Sequence, residues 1–146
     1  MEFTPSVGDE LQTEYFVDRR NVVEAYAALQ PLREAIGRLV QVGEIRTIAA
    51  DQLWLSPAFE RDSAAIHFTW KPDWPSVREL LPRIEAALAR FQPRPHWGKL
   101  FTMPPETVRD AHPRRAEFVA FAQSMDPEGK FTNDFLRRTV FGSASA

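Results

Sequence analysis

The chain has 146 residues, 44% of them hydrophobic and 12% aromatic, with 18 Lys+Arg against 20 Asp+Glu for a net charge of −2. That length gives one domain of ordinary size or part of a larger one, the 11 Phe and 4 Trp exclude wholesale disorder, and the charge balance argues against a nucleic-acid partner. The absence of cysteine excludes disulfides and thiolate chemistry, no apolar run approaches the ~20 residues that span a bilayer, and the acidic Met1–Glu10 does not read as a signal peptide, so a cytoplasmic protein is expected.

Residues 1–10 read as an irregular lead-in, and Leu11–Val17 as a strand. Asp18-Arg19-Arg20-Asn21 opens a helix, with Asp18 or Asn21 as cap. Val22, Tyr26, Leu29, Leu32, Ile36, Leu39 and Val40 form its apolar face, with a bend or restart at Pro31. Gly43 closes that region, and Glu44–Ala50 reads as a second strand, extended or capped by the stretch from Asp51 to Pro57. Phe59–Ser63 is a polar loop, and Ala64–Trp70 is the clearest strand in the chain.

Asp73 and Pro75 mark a helix start, with Val77, Leu80, Leu81, Ile84, Leu88 and Phe91 on its buried face. A Pro-rich link over Gln92–Pro95 is followed by a helical turn at Pro104-Pro105-Glu106. A third helix is predicted from Pro113 to Ser124, with Phe118 and Phe121 inward. Asp126–Gly129 signals a turn, Phe131–Phe141 is a short apolar tail, and Gly142–Ala146 a frayed end. The predicted fold class is therefore α+β, a small antiparallel sheet with helices packed on one face. Three strands make a thin sheet, which points to further strands outside these residues.

Residues two apart on a strand share a face. Glu44 and Arg46 therefore point one way, as do His67 and Thr69, and pairing of the two strands would gather an acid, a base, an imidazole and a hydroxyl. Ile45, Thr47, Ile66, Phe68 and Trp70 are left to pack under helices. Mixed donors and acceptors suit a polyhydroxy ligand. The same alternation also describes a half-exposed strand in which Glu44–Arg46 is a solvated pair. Lys99 stands out because the chain has three lysines and this one lies in the stiff stretch Pro93-Arg94-Pro95-His96-Trp97-Gly98-Lys99. His96 and His112 read as structural. The three histidines lack ligand spacing, so no metal is expected, and the six dispersed glycines make no phosphate loop.

Six ordered blocks resemble the carboxy-terminal part of the bacterial alditol (xylitol) oxidases, which are similar to sugar-lactone oxidases such as D-arabinono-1,4-lactone oxidase in the vanillyl-alcohol-oxidase group. They are Glu14–Val17, Glu44–Thr47, Trp54–Pro57, His67–Trp70, Arg94–Lys99, and Asp126-Pro127 with Gly129–Asn133. The resemblance implies an FAD-dependent oxidase that converts a terminal polyol hydroxyl to an aldehyde with O2 and releases H2O2. It implies catalytic roles for Arg46 and Lys99 and a substrate pocket of Glu44, Arg46, His67, Thr69 and Lys99, with Asn133 as a cofactor contact.

By the same resemblance, residues 1–92 belong to a substrate (cap) domain, and 93–141 form a return segment facing a flavin domain. Residues 142–146 are a flexible tail. The FAD-binding domain and the histidine joined covalently to the flavin are absent from these residues, so an inactive, flavin-free fragment that self-associates is expected. A sugar-1,4-lactone oxidase fragment and a non-catalytic polyol- or protein-binding module are the alternatives.

Overall fold

The computed structural model describes residues 10–142. They form a four-stranded antiparallel sheet in the order β2–β3–β1–β4. The strands are β1 (Leu11–Asp18), β2 (Val40–Ile48), β3 (Ser63–Trp70) and the two-residue β4 (Arg94–Pro95). The helices are α1 (Val22–Ala28), α2 (Arg33–Leu39), α3 (Trp74–Leu88), α4 (Pro105–Asp110), α5 (Arg115–Met125) and the single turn α6 (Asp134–Leu136). The expected α+β class holds. The lead-in at 1–9 and the tail beyond Gly142 lie outside the described residues.

Tyr15 and Val17 of β1 join Ala64, Ile66, Phe68 and Trp70 of β3 on one face. Val77, Leu80, Leu81, Ile84 and Leu88 of α3 close over them, with Ala25 and Leu29 from the first helical region. Burying each such side chain is worth roughly 1.5–3 kcal/mol, so this layer is the main source of stability. The α3 start follows its sequence signal, since the Asp73 carboxylate accepts a hydrogen bond from the Ser76 N–H at 3.2 Å and Pro75 lies in the first turn. Glu85, on the same helix face, is buried and accepts from the Tyr15 hydroxyl (2.8 Å), the Thr102 N–H (2.7 Å) and the Thr102 hydroxyl (2.6 Å).

The first helical region breaks at Leu29–Leu32 into two short helices, because Pro31 has no N–H to continue the ladder. Three expectations are corrected. The region ends at Leu39, and β2 starts directly at Val40, with Gly43 inside the strand opposite Phe68 rather than closing the helix. Pairing of Val40 and Val42 with Trp70 and Thr69 outweighs the local helical periodicity.

Second, Ile45 and Thr47 are exposed, because β2 is an edge strand of the sheet. Third, α5 buries no residue, and Phe121 is 55% exposed, its ring edge-on to that of Trp54.

Candidate functional site

The register sets Glu14 opposite His67 and His67 opposite Glu44, so three polar residues form a row across β1, β3 and β2. Thr69 lies two residues along on the same face, and Arg46 two residues beyond Glu44. This is the face away from the α3 core, but it is not open to water as a plain edge sheet would be. The chain after β4 runs on along the β1 edge beside it: the His96 N–H donates to the Glu14 carbonyl and the Leu100 N–H to the Gln12 carbonyl, both at 2.9 Å.

Between those bonds the chain bends at Trp97-Gly98-Lys99. The Trp97 indole N–H donates to the Leu55 carbonyl at 2.7 Å, and its ring lies 4.7 Å from that of His112. His96 stacks on Phe16 and accepts from the Gly98 N–H. The bend turns Lys99 back over the sheet.

Lys99 Nζ donates to Glu14 Oε2 at 2.5 Å and to His67 Nδ1 at 3.0 Å. His67 Nε2 lies 3.1 Å from Thr69 Oγ1. Arg46 reaches Glu14 Oε1 at 3.5 Å and hydrogen-bonds Glu44. Glu44, Arg46, His67, Thr69 and Lys99 are thus brought into one bonded network. Its centre is buried, with Glu14 4% and His67 3% exposed, while Arg46 and Glu44 are exposed at the rim.

Burial raises the pKa of the Glu14 carboxyl, but the Lys99 ammonium bonded to it outweighs burial and holds the group down at about 2. It is therefore a permanent anion at neutral pH. Burial, followed by the charge of Lys99, depresses His96 below the ordinary imidazole value, and burial does the same for His112. The His112 ring is held by the Val108 carbonyl at 2.8 Å, a structural role.

Glu14 is the residue that sequence reasoning passed over. The signal was available: an acid two residues from Gln12 and Phe16 has the same strand parity that singled out Glu44 and His67. Asn133 stands apart. Its side-chain oxygen caps α6 by accepting from the Leu136 N–H at 2.9 Å, and no hydrogen bond among the described residues joins it to the Glu14 network. Chemically, the network offers a guanidinium, an ammonium and a hydroxyl as donors, with the Glu44 carboxylate as acceptor at its rim.

Comparison with known proteins places the chain. It is 46% identical over 141 residues to an alditol oxidase of Streptomyces sp. (strain IKD472 / FERM P-14339), covering 97% of this chain and 34% of that protein. It is 29% identical over 133 residues to an L-gulono-1,4-lactone dehydrogenase of Mycobacterium tuberculosis, covering 88% of this chain and 30% of that protein. An L-gulonolactone oxidase of Mus musculus is 27% identical over 137 residues, with the same 88% and 30% coverage. The chain spans about one third of the length of these curated relatives. A family model described as D-arabinono-1,4-lactone oxidase matches residues 9–139, nearly the whole chain, and the chain belongs to that family.

Proposed function

We propose that this chain is the substrate-binding wall of a larger FAD-dependent alditol oxidase, in which a terminal polyol hydroxyl becomes an aldehyde while O2 becomes H2O2. The observation that carries the reading is the single bonded network of Glu44, Arg46, His67, Thr69 and Lys99 around Glu14. The 46% identity to a protein named alditol oxidase, against 27–29% to the gulonolactone enzymes, supports a polyol over a lactone.

Arg46 and Lys99 would flank the reacting oxygen and stabilise negative charge as its proton leaves. The Glu44 partner would fix the Arg46 guanidinium while accepting from a neighbouring hydroxyl. Thr69 would meet an oxygen further along the ligand.

The flavin, when bound, supplies hydride acceptance and the passage of electrons to O2. The described residues fit its substrate side rather than its phosphate side. Gly129 and Gly142, the described glycines with positive φ, lie in a turn and at the C-cap of the helical segment Arg137–Phe141 against Arg109, and neither opens a helix. On this reading the diphosphate and the covalent histidine link belong to the flavin domain that the family resemblance implies. The exposed Phe121, Met125 and Phe131 of residues 93–141 give that flavin domain an apolar surface to cover.

The test is to co-express this chain with the amino-terminal two thirds of the Streptomyces relative. A yellow complex that makes peroxide from xylitol supports the reading. A yellow complex inert to every polyol but active on an aldonolactone overturns it in favour of the lactone branch.

A further inference from the structure

The hydrogen bonds around Glu14 have a direction. A lysine ammonium donates three protons and accepts none. One goes to Glu14 Oε2 and a second to His67 Nδ1, so Nδ1 must present its lone pair. The ring is then neutral with its proton on Nε2, and that N–H donates to Thr69 Oγ1 at 3.1 Å. Having accepted there, the Thr69 hydroxyl keeps its own proton, which meets no partner among the described residues. The third Lys99 proton is in the same position.

Neither of the two inner groups is free to meet a ligand. Both His67 nitrogens are occupied, and Glu14 is buried under Lys99 and Arg46. Yet they decide what the half-buried Thr69 can offer. With the opposite tautomer, Nε2 would need a proton from Thr69, and the hydroxyl would face the pocket as an acceptor.

We propose that Glu14 and His67 are positioning residues that leave the Thr69 hydroxyl proton free to donate, so that the pocket selects a ligand oxygen with a free lone pair at that point over a deoxy carbon. The ligand class rests on the oxidase reading above, but the proton direction does not.

The 146-residue chain, labelled with 15N, tests the direction at neutral pH through the His67 ring signals. Wild type should show an unprotonated Nδ1 and a protonated Nε2. In Lys99→Met, which preserves side-chain bulk at the margin of the network, Nδ1 loses its donor and faces Glu14 Oε2 at 3.7 Å. Its proton should therefore move to, or be added at, Nδ1. A protonated Nδ1 in wild type, or an unchanged ring in Lys99→Met, overturns the proposal.

In the co-expressed oxidase, Thr69→Val should lower kcat/KM for xylitol by about tenfold, as expected for one lost neutral hydrogen bond, while Thr69→Ser restores it. Equal rates in Thr69→Val and wild type would remove the donor role. An enzyme inert to polyols whose His67 signals still move as stated overturns the substrate reading alone.

Discussion

Glu14 sits at the centre of the bonded network without reaching its rim. Its carboxyl is held at about 2, against an ordinary value near 4.5, so the folded state keeps it ionised where the unfolded chain takes up a proton. The stabilisation is complete above about pH 4.5 and is lost as pH falls toward 2, amounting to at most about 3 kcal/mol. Asp18 is held at about 2 by the side-chain and backbone hydrogen bonds of Arg20 and titrates over the same window. The difference between wild type and Glu14→Gln therefore isolates the buried group. Urea midpoints measured from pH 7 down to pH 2 should fall less steeply in Glu14→Gln, and parallel slopes would show that Glu14 is not held as an anion.

Among the elements, α3 was the most legible. Asp73, Pro75 and the spacing of Val77, Leu80, Leu81, Ile84 and Leu88 are local signals, and nothing elsewhere in the chain overrides them. Asp73→Ala removes one cap bond and should lower stability by about 1 kcal/mol in urea unfolding. Glu85→Ala should cost more, about 3 kcal/mol, because it strands the Tyr15 hydroxyl and the Thr102 donors. A smaller loss for Glu85→Ala than for Asp73→Ala would mean that water replaces the carboxylate.

Glu85 was not foreseen, since an acid on an apolar helix face shows its use only once its partners are in place. The start of β2 was misread for a related reason. Helical spacing runs on through Leu39 and Val40, and only β3, more than twenty residues later, settles that Val40 is extended. Glu44, Arg46, His67 and Thr69 were readable together because strand parity is a local rule. That Lys99 joins them depends on a bend that parity does not describe.

For the molecule as a whole, the sheet ends in an unsatisfied margin. β2 is exposed from Gln41 to Thr47, and Val42, Ile45 and Tyr26 bring apolar surface to that edge. Such an edge pairs with another strand when one is available. The isolated chain is expected to self-associate through it. Sedimentation should show a weight-average mass that rises with concentration, and a Val42→Lys, Ile45→Lys double variant should return it to monomer. A wild-type chain that stays monomeric at high concentration would show that the edge protects itself.

The thin sheet had suggested strands elsewhere, and the observed fourth strand, β4, is too short to answer that expectation.

Lys99 and Thr102 lie three residues apart, yet they grip opposite sides of β1. Lys99 holds Glu14 on one side, and Thr102 meets Tyr15 through the shared Glu85 carboxylate on the other. The strand is thus clasped between two anchors on a single short span of backbone. That span of backbone ties the polar face of the sheet to α3 on the opposite face.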